Sequence, residues 1–190
     1  MLMCVIRMVV AASMLVASLE LVSAQEMIPN PEFASWAKFR KGTSVTRKMT
    51  SGLNGITTET RMITTLLEVT ETKVVVEISE VTHLNGMDIR TPPKKHEIPK
   101  TLPLTPGQKP HIPGSRPQGT VEEGTETMKI GGIDYKTRWY RTKATRSGSE
   151  VEGRFWFADE MPGIVVKIES TTKGQATTKT NVDVIEVRKP

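Results

Sequence analysis

Cysteine is almost absent from the sequence, because Cys4 is the only one among 190 residues. It lies in an N-terminal segment that we predict to be a cleaved leader. The remaining chain then has no thiol for a disulfide, a metal–thiolate site or a cysteine nucleophile. A chain without disulfides depends on packing alone, and about 165 residues are enough to build one hydrophobic core. We therefore predict a single domain spanning residues 25–190.

Histidine is also scarce, and its three copies are irregularly spaced. His83, His96 and His111 match no helical pair and no zinc-binding spacing. The sequence also has no serine in a nucleophile elbow, no phosphate-binding loop and no dinucleotide-binding glycine motif. We therefore predict no metal site and no cofactor, and the sequence favours a non-enzymatic protein over an enzyme.

The sequence has no apolar run long enough to cross a membrane, which takes about 20 residues. The apolar run Met8–Ala17 follows a short stretch with one cation, Arg7, and precedes the small-residue sequence Val22-Ser23-Ala24. This order is typical of a signal peptide with its cleavage site. We predict that residues 1–24 form a signal peptide and that the protein is exported to the periplasm or the extracellular space. No transmembrane segment is expected in the mature chain.

Positive charges exceed negative ones, giving a formal net charge of +5. Much of the excess lies between Lys94 and Arg116. A basic surface suits an anionic partner such as a phospholipid head group or an acidic glycan, although a solvated surface without a partner has the same composition. Because no arginine-rich cluster alternates with aromatic residues, we predict no nucleic-acid partner. We expect either no partner or a lipid or other anionic or amphipathic component of the envelope.

A hairpin signal recurs three times along the chain. Each copy places an Asn-Gly or Gly-Gly pair between two apolar residues, in Leu53–Ile56, Leu84–Met87 and Ile130–Ile133. Such pairs readily adopt the positive φ angles that two-residue type I′ hairpin turns need. The flanking segments are rich in Thr, Val and Ile, and no helix of useful length separates them. Antiparallel strands are therefore predicted.

The predicted strands are longer than the usual length of about 5–6 residues. Long neighbouring strands joined by tight turns predict one curved antiparallel sheet of about eight to ten strands, either a half-barrel or an open barrel. In the last strand, Ala176–Val187, the apolar side switches after Val184, which indicates a bulge near Ile185 or burial on both faces. The predicted fold class is mainly β, with one curved antiparallel sheet and one short N-terminal helix.

The predicted helix lies at the start of the domain. Asn30 is suited to cap it, Pro31 fits its first position, and Gly42 can terminate it in a left-handed conformation. The apolar face of this helix consists of Phe33, Trp36 and Ala37. We expect this face to pack against the sheet, the alternative being an aromatic surface for membrane contact.

Proline interrupts the strand pattern between Thr91 and Thr120, where eight of the 12 prolines fall. Prolines exclude a central strand, so residues 91–120 are predicted to form a proline-rich loop or insertion, with Lys94–Ile98 as a candidate edge strand. Two alternatives stay open, a lid over the sheet or a disordered insertion. The apolar anchors of a lid would be Leu102, Leu104 and Ile112.

One carboxylate, Glu80, occupies an unusual position. It shares its predicted strand face with apolar residues, a setting that raises the pKa of a carboxyl group and suits a general acid. Structural ion pairing explains the same pattern. We therefore keep an exported hydrolase-like enzyme that uses Glu80 as the alternative function.

Aromatic residues occur as adjacent pairs in two predicted strands. Neighbours in a strand face opposite sides of the sheet, so each pair places one aromatic ring on each face. Aromatic rings on both faces indicate either burial on two sides or a concave surface that faces a ligand. The candidate ligand-binding residues are Trp139, Tyr140, Phe155 and Trp156.

The segment Phe155–Glu169 combines an aromatic strand, an acidic turn with Pro-Gly and a Val-Lys strand. It resembles a hairpin found in secreted bacterial β-sheet proteins. The whole mature chain resembles small exported proteins of unassigned function from planctomycete-type bacteria. Its long curved hairpins are similar to those of the outer-membrane lipoprotein carrier and sorting proteins. That resemblance implies an incomplete β-barrel with a helical lid over a lipid-sized cavity, and it carries over no site residue.

The composition, the hairpins and these resemblances together predict an exported, non-enzymatic binding or structural module of the bacterial envelope. Its ligand would be apolar or amphipathic and would lie on the concave face of the sheet.

Overall fold

The computed structural model describes residues 26–53, 56–84, 86–104 and 114–190. Within these ranges no helix is both long and apolar enough to span a membrane. The predicted signal peptide lies outside the described residues and stays a prediction. The elements are β1 (Met27–Pro29), α1 (Pro31–Trp36), β2 (Ser44–Leu53), β3 (Ile56–Val69), β4 (Lys73–Leu84), β5 (Met87–Pro99), β6 (Thr101–Pro103), β7 (Thr120–Ile130), β8 (Ile133–Arg146), β9 (Ser149–Phe157), β10 (Val165–Lys173) and β11 (Thr177–Arg188).

Nine of the strands form one antiparallel sheet in the order β5-β4-β3-β2-β11-β10-β9-β8-β7. The chain builds one half as a meander outward from β2, and β11 then joins that half to a second meander. The sheet curves enough that β7 contacts β11, four places away in the order, but β5 and β7 remain unpaired edges of the sheet. The predicted single antiparallel sheet, open rather than closed, is confirmed. The short strands β1 and β6 pair separately.

The hairpins form where the sequence predicts them. The apolar residues that flank each turn pair directly, Leu53 with Ile56, Leu84 with Met87 and Ile130 with Ile133. Gly131 and Gly132 have φ angles of 56° and 85°, as the two central positions of a type I′ turn require. The turn residues Asn54, Gly55 and Asn85 lie outside the described residues.

The predicted bulge is also present in the last strand. The pairing of β11 with β2 shifts register between Val184 and Glu186, which leaves Ile185 as the extra residue. Ile185 is 41% exposed. The bulge, rather than burial on both faces, therefore explains the switch of the apolar side.

The helix is shorter than predicted, because α1 ends at Trp36 instead of reaching Gly42. Its N-terminus is as expected, since the Asn30 side chain accepts a hydrogen bond from the Glu32 backbone N–H at 3.0 Å. Beyond the helix the backbone bonds to the sheet. Gly42 donates to the Leu66 carbonyl at 2.8 Å, and its φ of 91° turns the chain into β2. Between Trp36 and Gly42 the chain forms local turns, with the Phe39 N–H donating to the Trp36 carbonyl, so the helix ends before Gly42.

The proline-rich segment differs in part from its predicted extent. Its first nine residues continue β5 through Pro99, and Thr101–Pro103 forms β6, so the loop does not begin at Thr91. Pro92 and Pro93 are tolerated because β5 is an edge strand that pairs on one side only. The predicted edge strand Lys94–Ile98 is confirmed as part of β5. Residues 105–113, including Ile112, lie outside the described residues, so the choice between lid and disordered insertion stays open.

The core extends from α1 and the β2–β5 half of the sheet into the other half, where Tyr135, Trp156 and Val166 belong to the same buried cluster. Trp36 is 1% exposed and belongs to one buried cluster with the sheet residues Val45, Leu66, Val74, Val76 and Ile98. Phe33 and Ala37 pack against the same cluster. The prediction that this aromatic face packs on the sheet is confirmed, so it is not a membrane-contact surface.

Alternation along the strands gives the sheet two chemically different faces. We call the face that α1 covers the helix-side face. A row of residues on it pairs directly across eight strands, and we call it the cross-strand row: Ile89, Thr82, Thr60, Met49, Val182, Ile168, Phe155 and Tyr140. None of these residues is charged.

The opposite face, here the ion-pair face, carries charged side chains that pair across neighbouring strands. Its pairs include Lys48–Glu59, Arg141–Glu122, Lys143–Glu152 and Lys167 with Glu169 and Asp183, at N···O distances from 2.6 to 3.7 Å. Exposed pairs of this kind contribute only about 0–1 kcal/mol each. They keep the part of this face that they occupy in solvent, whereas Trp156 and Tyr135, which lie on the same face in β9 and β8, are buried members of the core.

Two glycines within strands provide space for aromatic rings. A Cβ added to Gly124 would lie 2.7 Å from the Trp139 ring on the neighbouring strand, and one on Gly153 would lie 2.7 Å from the Phe155 ring. Each ring therefore lies against glycine backbone.

Replacing Gly124 with Ala should lower the free energy of unfolding by about 1–3 kcal/mol, because the Trp139 ring must move out of its packed position. Gly52→Ala is the matched control, since its added Cβ would meet only the Ile56 carbonyl, at 4.0 Å. Urea denaturation of both variants measures the difference. Equal stabilities would contradict this account of the Trp139 packing.

Candidate functional site

The four candidate aromatic residues do not come together in one site. Trp139 pairs with Trp156 on the ion-pair face, and Tyr140 pairs with Phe155 on the helix-side face. The sequence alternation required this separation within each adjacent pair. Which two rings meet was decided by the register between β8 and β9.

The two tryptophans on the ion-pair face are already engaged by neighbouring side chains. The Arg154 guanidinium lies 4.0 Å from the Trp139 ring centroid and 4.8 Å from that of Trp156, whose ring also has Lys167 Nζ at 5.2 Å. The Trp156 indole N–H donates to the Glu126 carboxylate, and Trp156 is only 4% exposed. These contacts leave little ring surface free for a ligand.

Tyr140 and Phe155 belong to the cross-strand row and remain half-buried. The Phe155 ring lies parallel to that of Phe157, with 6.5 Å between centroids, and Tyr140 lies 6.1 Å from Phe157. The next row toward the β10–β11 turn consists of small residues, Thr58, Ser51, Thr180, Ser170, Gly153 and Thr142. The larger side chains of the cross-strand row therefore border a strip of short ones on the same face.

Glu80 is half-buried on the helix-side face, opposite Met62 and Thr91. Within the described ranges it makes no hydrogen bond or ion pair with another side chain. The hydrolase hypothesis needs a histidine or second carboxylate within hydrogen-bond reach, and this arrangement supplies neither. His83 instead pairs with Asp88 at 3.0 Å on the ion-pair face. His111 lies outside the described residues.

The described part of the chain contains no group of three or more His, Cys, Asp or Glu side chains that could hold a metal ion. His96 is separate from His83, because its side chain faces a cavity between α1 and the sheet. The three histidines singled out in the sequence therefore offer no shared site among the residues that are described.

The cavity beside α1 is the site that best fits a ligand. It has a volume of about 360 Å³, which is within the usual range for small-molecule sites. Its apolar walls are formed by Trp36, Met62, Val76, Ile78, Ile168 and Val182. Ile168 and Val182 are members of the cross-strand row, so the cavity continues into that row.

Three ionisable side chains line the same cavity, one each from α1, β2 and β5: Glu32, Arg47 and His96. Burial raises the pKa of the Glu32 carboxyl group from its ordinary value of 4.5, while the charges of His96 and Arg47 oppose this effect. Burial also lowers the pKa of the Arg47 guanidinium, and the Glu32 charge opposes it. An arginine nevertheless stays charged in proteins. The cavity is thus apolar with a permanent positive charge in its wall.

A turn between β9 and β10 closes the cavity beside Arg47. The Ser35 hydroxyl of α1 accepts a hydrogen bond from the Gly163 N–H at 2.9 Å and donates one to the Glu32 carbonyl at 2.9 Å. Gly163 has a φ of 78°, and a Cβ there would lie 2.9 Å from Arg47 Nη2 and 3.2 Å from Trp36 Nε1. Only glycine allows the turn, the helix and Arg47 to approach this closely.

A second cavity, of about 520 Å³, lies at the β7–β8 edge of the sheet. Its charged lining includes Lys136 and Arg138, and Arg138 already pairs with Asp159 at 2.6 Å. Its walls are mainly polar side chains of β7 and β8, such as Thr125 and Thr127. Every side chain that lines it is polar or charged, in contrast to the cavity beside α1.

Sequence reasoning did not identify Arg47, Met62, Ile168 or Val182 as site residues. One signal was available, because Arg47 alternates with the apolar residues Val45 and Met49 along β2. A charged residue on an otherwise apolar strand face is the same pattern that drew attention to Glu80. Arg47 differs from Glu80 because the fold places α1 and the Gly163 turn over Arg47.

No protein-family model matches the chain, and no curated protein matches it. Among solved structures, it is similar to a proposed lipoprotein from Parabacteroides distasonis, with 8% identity, a TM-score of 0.45, and 78% of this chain and 96% of that chain covered. It is also similar to a proposed outer-membrane lipoprotein-sorting protein domain from Vibrio parahaemolyticus, with 11% identity, a TM-score of 0.23, and coverages of 84% and 92%.

The names of these two structures agree with the resemblance to lipoprotein carrier and sorting proteins, whereas the planctomycete-type resemblance stays a prediction. At these TM-scores neither neighbour carries an argument about this chain. The assignment of the fold rests on the strand pairings described above.

Glu32→Gln should stabilise the protein relative to the wild type at pH 7 more than at pH 4. Because burial raises the pKa of Glu32 in the folded state, its contribution to stability is present below the unfolded-state pKa and is lost as the pH rises through the folded-state pKa. Glutamine does not titrate and escapes this loss. Urea denaturation across the pH range measures the difference in free energy of unfolding.

Glu59→Gln is a control with the opposite sign. A hydrogen bond from Lys48 lowers the pKa of Glu59, so its stabilising contribution is present above the unfolded-state pKa and is lost as the pH falls. This variant should therefore lose stability relative to the wild type as the pH rises. Equal pH trends for the two variants would contradict the assigned environment of Glu32.

Proposed function

We propose that the protein is an exported, non-enzymatic binding module of the bacterial envelope that holds an apolar or amphipathic ligand on the helix-side face of its sheet. The ligand would occupy the cavity beside α1 and extend along the cross-strand row. The location in the envelope rests on the predicted signal peptide and on the family resemblance stated from the sequence.

The observation that supports this function most directly is the incomplete cover of the helix-side face. The six-residue helix α1 packs over the β2–β5 half, where Val45, Leu66 and Val76 are almost fully buried. Along the cross-strand row only Thr60 is buried, and the other members remain partly or fully exposed. The apolar members of the row from Met49 to Phe155 form a partly exposed apolar surface, which is typical of a binding site.

The chemistry of the cavity fits binding better than catalysis. Apolar walls with a few polar groups are characteristic of small-molecule sites. Glu80 lies outside the cavity lining, and in the described residues no second carboxylate or histidine reaches it. The cavity therefore offers a ligand an enclosing shape and an apolar surface, and Arg47 places a permanent positive charge in its wall.

The apolar dye N-phenyl-1-naphthylamine tests the proposal, because its fluorescence rises in an apolar site. The wild type should bind it saturably, and Ile168→Asn should bind it roughly five- to hundredfold more weakly. That loss corresponds to an unpaired amide placed on the apolar surface, which costs about 1–3 kcal/mol. Mass spectrometry of the natively purified protein should also detect a co-purified amphiphile.

Thr171→Asn is the matched control, since Thr171 is half-buried on the same strand but faces the ion-pair side. It should bind the dye as the wild type does, and circular dichroism should confirm that both variants are folded. Absence of saturable binding to the wild type would overturn the proposed function. Equal weakening by both substitutions would overturn the proposed location.

A further inference from the structure

We propose that the polar end of the ligand is an anion held by Arg47, so that the site takes long-chain carboxylates and related single-charge anionic amphiphiles. This inference rests on the proposed function and adds the charge of the head group and its position. The apolar chain of the ligand would then run from Arg47 along the cross-strand row.

The Arg47 guanidinium is largely unpaired within the described residues. A guanidinium has five N–H donors, and the Arg47 hydrogen bond within the described ranges is one to the Pro162 carbonyl at 3.5 Å. No carboxylate of the described residues lies within salt-bridge distance of it. A partly buried cation without a partner is energetically unfavourable, and a bound anion would remove this cost.

The neighbouring charges do not form an ion pair with Arg47. Glu32 and His96 face the same cavity, but the Glu32 carboxylate is not within salt-bridge distance of the guanidinium and acts on it only from further away. Glu80 lies on the same face but is separated from Arg47 by Met62 in the strand order. The positive charge of Arg47 therefore remains available to a ligand.

The helix-side face offers an apolar chain a path that starts beside Arg47. Arg47 is two residues from Met49, a member of the cross-strand row on the same strand face, and Met49 pairs with Val182. From Val182 the row continues through Ile168 and Phe155 to Tyr140. Strands lie about 4.8 Å apart, so this path from β11 to β8 spans roughly 14 Å. That length suits an extended alkyl chain.

Displacement of N-phenyl-1-naphthylamine by three amphiphiles of equal chain length tests the inference on the wild-type protein. The probes are laurate, dodecanol and dodecylammonium, used below the concentrations at which they form micelles. Laurate should bind roughly ten- to hundredfold more tightly than dodecanol, as expected for a hydrogen bond to a charged group, and dodecylammonium should bind most weakly.

Variants of Arg47 locate the effect. Arg47→Gln should lower the affinity for laurate roughly ten- to hundredfold and leave that for dodecanol unchanged, whereas Arg47→Lys should retain a preference for laurate. Arg61→Gln is the matched control, because Arg61 lies on the neighbouring strand but on the ion-pair face, with its side chain 57% exposed. It should leave both affinities unchanged.

The outcomes separate this inference from the proposed function. If no amphiphile displaces the dye, the proposed function and this inference both fail. If dodecanol binds as tightly as laurate, the function stands and the anionic head group is wrong. If laurate is preferred but Arg47→Gln binds it normally, the role of Arg47 is wrong. The comparison among the three probes uses the wild type alone, so it tests the anionic head group even if Arg47→Gln does not fold.

Discussion

A single sheet has two faces, and in the described part of this protein few residues outside the sheet are available to cover the helix-side face. Charged pairs such as Lys48–Glu59 keep much of one face in solvent, although Trp156 and Tyr135 on that face are buried. The other face must bury apolar side chains, yet its helical cover in the described chain is the six-residue α1. The core surrounds Trp36 and Leu66 and continues into the other half of the sheet, where Trp156 and Val166 are buried. On the helix-side face the cross-strand row stays partly exposed, and the proposed binding site rests on this incomplete cover.

The position of the helix is fixed by a few polar contacts at its ends. The buried Asn30 caps α1 and also donates from its side-chain amide to the Pro99 carbonyl at 2.8 Å, which ties the helix to β5. Ser35 ties the other side of α1 to the Gly163 turn. These contacts hold the helix over Arg47 and leave the adjoining volume open. The same contacts that stabilise the fold therefore define one wall of the cavity.

Features set by neighbouring residues could be predicted from the sequence, and features set by distant parts of the chain could not. The Gly131-Gly132 turn, the bulge at Ile185 and the Asn30 cap depend on local backbone preferences and were predictable. The path of the chain after α1 was not, because Gly42 donates to the Leu66 carbonyl and Thr43 accepts from the Leu66 N–H, which is distant in sequence. Arg47 interrupts an apolar strand face in the sequence, but its importance could not be predicted, since it depends on which sheet face the helix covers.

The central claim is that a ligand lies on the helix-side face, and methionine methyl NMR tests it most directly. Met49 lies in the cross-strand row and Met62 in the cavity wall, whereas Met128 packs on the opposite face, across from Tyr135. With methyl-labelled protein, adding laurate should shift the Met49 and Met62 signals and leave that of Met128 in place. Laurate binding that shifts Met128 while Met49 and Met62 stay unchanged would contradict the account.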